Sequence, residues 1–165
     1  MTEMTDTRPD LRALLQPGVH TVRPDEGDRL VEVWEASVCA THHFLSKSQI
    51  EELRPMVLPA LLGLPHLLCV RELGGNLVGF VGVVGNKMEA LFVHPSWRGA
   101  GVGRRLADYA INELGATSVD VNEQNEQAVA FYERLGFRIE GRSPVDSGGR
   151  PFPLLHMRKR GAAAE

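Results

Sequence analysis

Apolar residues along this chain follow two rhythms, one repeating every three to four residues and one alternating. Val19-His20-Thr21-Val22-Arg23 alternates and stops at Pro24, which predicts a short opening strand. From Asp25 the period lengthens: Leu30, Val33, Trp34, Val38 and Ala40 predict a helix to about Thr41. Ser48 followed by Glu51 is a capping-box pattern, and Ile50, Leu53, Val57 and Leu61 form the apolar face of a second helix. Pro55 and Pro59 predict that this helix is short or kinked.

The pattern then turns to strands. His66 to Glu72 and Leu77 to Val84 flank a Gly74-Gly75-Asn76 hairpin turn, and Lys87 to His94 is a third central strand. Leu106, Tyr109, Ala110 and Leu114 give one face of a helix over Val102 to Leu114, with Gly115 as its C-cap. Ser118 to Val121 is a short strand, and Gln127 to Leu135 a helix stopped by Gly136. Phe137 to Arg142 and Leu154 to Met157 complete the strands. The order βααβββαβαββ predicts a mixed α/β sheet with helices on both faces. Residues 1–17 carry Pro9 and Pro17 without a sustained period and read as a loose tail; 18–160 read as one domain and 161–165 as a second tail.

Composition narrows the class of partner. At 165 residues, with 43% hydrophobic and 24% charged residues, the chain has the balance of a soluble single domain. A net charge of −3 argues against nucleic acid as a partner, since such domains usually carry a basic excess. Cys39 and Cys69 sit in apolar segments without metal-ligand spacing and read as buried free thiols of a cytoplasmic protein. No apolar run reaches membrane-spanning length, so neither insertion nor export is expected.

The segment with the most chemistry runs from Leu91 to Leu106: an apolar strand, Pro95, then Arg98-Gly99-Ala100-Gly101-Val102-Gly103 opening a helix with Arg104 and Arg105. Such a turn aims backbone N–H groups and the positive end of a helix dipole at one spot, which suits a pyrophosphate. The dinucleotide spacing G-x-G-x-x-G is not met, and no Gly-Lys-Ser/Thr marks a P-loop.

A second constellation, Asn125 to Phe137, reads N-x-x-A-x-x-x-Y-x-x-x-G-F, downstream of V-x-P-x-x-R-G-x-G-x-G at Val93 to Gly103. Together they resemble the GNAT superfamily of acyl-CoA-dependent N-acetyltransferases, and the element order extends that resemblance over nearly the whole chain. It implies a single GNAT fold of α+β type, with a mixed, mostly antiparallel central sheet, and acetyl-CoA as co-substrate. It also implies that Leu91, Phe92 and Val93 flank the pantetheine arm. Gly99, Ala100, Gly101, Val102 and Gly103, with Arg98 and Arg104, then hold the pyrophosphate. Asn125 contacts the pantetheine region, and Tyr132 acts as the acid that protonates the departing thiolate. A phenol near pKa 10 lies close enough to a thiol near 8.5 for that transfer.

The expected reaction is attack of a neutral amine on the thioester, both substrates being held in one site. A strand amide near Val93 is expected to steady the carbonyl oxygen. Glu89 is the first choice for the base, on shared strand parity with Leu91 and Val93, and Asp120 the second. The alternative is a catalytically idle acyl-CoA-binding or sensing module. Adjacent His42 and His43 read as solvated caps or as acceptor-side contacts, and the Ser143 to Pro151 loop as a polar border of that side. No metal is expected, since no further His or Cys lies near them at ligand spacing. The acceptor, a small-molecule or peptide amine, is not encoded in any motif, and a homodimer is left open.

Overall fold

Burial of both faces of one sheet organises the molecule, whose computed structural model describes residues 10–161. In chain order the elements are β1 (His20–Thr21), α1 (Gly27–Thr41), α2 (Lys47–Leu62), β2 (His66–Arg71), β3 (Leu77–Val84) and β4 (Lys87–Val93). Then follow α3 (Val102–Leu114), β5 (Ser118–Asn122), α4 (Glu126–Arg134), β6 (Phe137–Ser143) and β7 (Leu154–Lys159). The seven strands lie in the order β1-β2-β3-β4-β5-β7-β6 and pair antiparallel except β4 with β5. The last strand in sequence therefore inserts between β5 and β6.

Leu30, Val33, Trp34 and Val38 of α1 and Ile50 and Leu61 of α2 pack on Cys69, Leu77, Phe80 and Ala90. On the opposite face Leu106, Ala107 and Ala110 of α3 and Tyr132 of α4 meet Val81, Val83, Val119, Val121 and Met157. The expected helices on both faces are present. Among the described residues no helix is long and apolar enough to cross a membrane.

Four local expectations change. The cap of α2 is Ser46, whose side chain accepts from Gln49 N while Gln49 returns a bond to Ser46 N; Ser48 lies inside the helix. The helix continues through Pro55 and Pro59 for 16 residues, because its buried Ile50 and Leu61 hold it against the sheet despite two missing N–H donors. Cys39 is exposed, although its chain neighbour Val38 is buried.

The N-terminal segment is the fourth. Residues 1–9 lie outside the described part of the chain. Asp10 caps a turn of 3₁₀ helix over Leu11–Leu14, Leu15 is buried in the core, and Gln16 N donates to Arg71 O at 2.9 Å. The apolar Leu11 and Leu15 give residues 10–17 a place on the domain that their lack of period did not announce.

Candidate active site

The site begins where two parallel strands separate. β4 and β5 pair only at Lys87 with Ser118 and Met88 with Val119; beyond those rungs no pairing joins them. β4 continues beside β3, and His94 N donates to Val78 O at 2.9 Å. Strand alternation then directs the N–H and C=O of Leu91 and Val93 away from β3, into the opening. Phe92 falls on the other phase: its backbone faces β3, and only its half-buried ring reaches the cavity.

β4 is also bulged. Gly82 opposes Ala90 and Val83 opposes Met88, leaving Glu89 as the extra residue. Met88 and Ala90 consequently bury on opposite faces of the sheet, although two residues apart. The parity argument for Glu89 assumed an unbroken strand and does not apply, yet the bulge still sets Glu89 on the wall of the opening.

At the far end of β4 the chain turns into α3. Gly101 sits in the left-handed region at φ 77°, and the first intrahelical bond runs from Arg105 N to Gly101 O. The N–H groups of Val102, Gly103 and Arg104 therefore point out of the helix start without intrahelical acceptors. A Cβ at Gly79 would lie 2.7 Å from Val102 Cγ1, so that glycine lets α3 settle close to β3. Ala100 departs from its expected role: its side chain is buried, and its N–H donates to Trp97 O at 3.3 Å.

Cavities follow this path and share walls. One of about 450 Å³ lies over the glycine turn among Val93, Trp97, Phe131 and four guanidinium groups, Arg12, Arg98, Arg104 and Arg134. The next, about 300 Å³, runs along Leu91 to Val93 past Asn125 and Phe131 to His42. The third, about 120 Å³, occupies the gap between the strands, walled by His42, Glu89, Leu91, Asp120, Asn125 and Tyr132. Another, about 330 Å³, opens between α1 and α2 past Glu35, Cys39, His42 and Ile50. His42 borders the last three.

Electrostatics differ around the gap. Tyr132 is buried, and no other described residue hydrogen-bonds its hydroxyl; burial pushes the phenol above its ordinary value near 10. The gap to a thiol's pKa is therefore wider than an exposed phenol would give. Burial also raises the Asp120 carboxyl, but bonds from Lys87 and His156 outweigh it and hold the group below its ordinary range. Lys87 Nζ lies 2.5 Å from Asp120 Oδ2, and His156 Nδ1 2.6 Å from Oδ1. His156 Nε2 in turn lies 2.6 Å from Ser143 Oγ. Among the described residues Glu89 has Lys87, at 3.6 Å, as its one ionic neighbour. Burial, then the neighbouring His43, pushes His42 down to about 4, so its imidazole is neutral. Asn125 Oδ1 caps α4 by accepting from Ala128 N at 3.2 Å, which leaves its amide NH₂ toward the cavities.

Arg12 and the Asp120–His156–Ser143 chain escaped sequence reading, whereas His42, read as a solvated cap or an acceptor-side contact, stands in the gap wall. Arg12 lay in a segment without period, and His156 meets Asp120 only because β7 pairs with β5. Among the described residues no cluster of three or more His, Cys, Asp or Glu is placed to hold a metal.

Comparison with known proteins adds the family. Residues 65–139 match the acetyltransferase (GNAT) domain. Peptidyl-lysine N-acetyltransferase YjaB of Escherichia coli is 45% identical over 140 residues, covering 85% of this chain and 95% of the relative. The chain is a GNAT N-acetyltransferase. It moves an acetyl group from acetyl-CoA to an amine, which sets aside the idle binding module. The solution structure of apo-form YjaB from Escherichia coli superposes on the enzyme with a TM-score of 0.79 at 42% identity, covering 88% of this chain and 98% of that one. The PaiA N-acetyltransferase of Thermoplasma acidophilum, solved in complex with coenzyme A, shares the fold of the enzyme at 19% identity and a TM-score of 0.66, over 86% and 97% of the two chains.

Proposed function

We propose that the enzyme acetylates the ε-amine of a lysine side chain in a peptide or protein, by direct attack with both substrates bound. The observation that carries the mechanism is the parting of β4 from β5, which sets free strand amides, two carboxylates and a buried phenol around one small cavity. The acceptor class rests on the similarity to a peptidyl-lysine N-acetyltransferase over almost its full length. The free thiols Cys39 and Cys69 fit a reducing cytoplasm, where we place the reaction.

Acetyl-CoA supplies the activated acetyl group as a thioester. The outward N–H groups at the start of α3, with Gly99 and Gly101, hold the pyrophosphate, and Arg12, Arg98, Arg104 and Arg134 add positive charge around it. The amides of Leu91 and Val93 align the pantetheine arm and the thioester carbonyl, and the Asn125 amide supports the same arm.

An arriving lysine ammonium must lose two protons in all. Glu89 accepts one: its carboxylate is 40% exposed and lightly partnered. Asp120, with both oxygens engaged by Lys87 and His156, keeps its charge and positions the gap wall. As the C–S bond breaks, Tyr132 donates its proton to the sulfur once negative charge has gathered there, the stage at which a phenol raised by burial can give it up. The second proton, leaving the acylated nitrogen, then restores the phenol.

A thiol-release assay with acetyl-CoA tests the acceptor. A lysine peptide with a blocked N-terminus should be turned over in preference to free lysine, a polyamine and a peptide offering only its α-amine. Turnover confined to another member of that panel would reject the lysine reading.

A further inference from the structure

The gap between β4 and β5 has a closed end. It is the paired rung of Met88 and Val119, beyond which the strands part. Both side chains line the cavity of about 120 Å³, and both are nearly fully buried, at 2% and 4% exposure. Val83 faces Met88 across the β3–β4 pairing, and Ala110, Phe137 and Met157 belong to the same core. A close-packed core of this kind leaves neither side chain room to retreat. Lys87, one residue before Met88, ties the corner to Asp120.

The cofactor arm approaches that end head-on. On the path proposed above it passes Val93 before Leu91, so its tip points along β4 toward Met88. In the tetrahedral intermediate the reacting carbon carries four groups, and three of them have places. The oxygen lies at the β4 amides, the sulfur beside Tyr132, and the nitrogen on the side of Glu89 and Asp120. The acyl chain is left with the corner of Met88 and Val119. Because the same cavity of about 120 Å³ must also take the thioester and the incoming nitrogen, little length remains for that chain.

We propose that Met88 and Val119 form an end stop that measures the acyl group, selecting acetyl-CoA as donor and refusing longer or acidic acyl chains. The proposal rests on the cofactor path above and holds whichever amine accepts. A methyl group suits the apolar corner, whereas further methylenes must displace packed side chains. The terminal carboxylate of a succinyl group would be pressed against apolar surface, with Glu89 and Asp120 repelling it from the same cavity.

Steady-state kinetics with acetyl-, butyryl- and succinyl-CoA test this on the full chain and on Met88→Ala and Val119→Ala, using the amine that the parent enzyme turns over best. Calorimetric affinity for CoA serves as the folding check. In kcat/KM the parent should use butyryl- and succinyl-CoA about 100-fold less well than acetyl-CoA, and each alanine variant should raise the butyryl-to-acetyl ratio about tenfold. Parent turnover of butyryl-CoA within about tenfold of acetyl-CoA overturns the proposal, as does an unshifted ratio in both folded variants. If the alanine variants lose CoA affinity, methyl NMR of the methionine-labelled parent decides. The Met88 methyl signal, assigned with Met88→Leu, should move when acetyl-CoA replaces CoA, and an unmoved signal overturns the proposal. Amide protection of Leu91 and Val93 by acetyl-CoA checks the path separately. Protection with an unshifted ratio sinks the end stop alone, and loss of protection sinks the path on which it rests.

Discussion

Lys87, on the first paired rung of β4 and β5, places its Nζ 2.5 Å from Oδ2 of Asp120, the residue just past the last rung. The ion pair bolts the two strands together where they begin to part, so the gap opens from a fixed corner. His156, opposite Asp120 on β7, holds the second carboxylate oxygen and extends the brace to a third strand.

The brace makes stability depend on pH in a defined direction. The Asp120 carboxyl titrates below its ordinary value of 3.8 in the folded chain, so its contribution is complete above that value and is lost as pH falls through the lowered native one. Asp120→Asn should therefore unfold at lower urea concentration than the parent at neutral pH, with the two midpoints converging as the pH is taken below the ordinary carboxylate value of 3.8. A difference in midpoint that persists unchanged however far the pH is lowered would contradict the ionic role.

Tyr132→Phe should lower kcat by about 100-fold, the lower range for loss of a proton donor, and leave the acetyl-CoA dissociation constant unchanged. The hydroxyl has no structural partner among the described residues, so the chemical denaturation midpoint should hardly move. Retained turnover would show that the thiolate leaves without this donor.

Glu89→Gln should also reduce kcat by about 100-fold at constant acetyl-CoA affinity, because an amide cannot take the amine proton. Unchanged turnover removes Glu89 from the reaction and shifts attention to Asp120.

Much of this arrangement was legible in the chain. The glycine turn, the helix it opens and the Asn125 to Phe137 motif were placed from spacing alone, since each depends on residues close in sequence. The insertion of β7 between β5 and β6 was not, because strand order is set by long-range pairing. The same limit hid His156 beside Asp120 and the contact of Phe44 with Phe152. The bulge at Glu89 was hidden for another reason: Lys87 to Val93 alternates no differently whether one residue is left over or none. Ser46 was passed over as a cap because Ser48 offers an equally good pattern two residues later.

Arg12 comes from a segment read as loose, yet it lines the cavity over the glycine turn, its guanidinium about 4 Å from where a Cβ at Gly101 would stand. Arg12→Ala should weaken acetyl-CoA binding about five- to tenfold in calorimetry, the loss of one charge-assisted phosphate contact, with kcat preserved. Unaltered affinity would place Arg12 outside the binding site.

Amide hydrogen exchange, followed residue by residue with and without acetyl-CoA, reads the proposed cofactor path in one experiment. The N–H groups of Leu91 and Val93, open to the gap in the free enzyme, should slow on binding together with those of Gly101 to Arg104. Phe92 N–H, already directed at β3, should change little. Protection that appears elsewhere and spares both Leu91 and Val93 would contradict the placement of the thioester between β4 and β5.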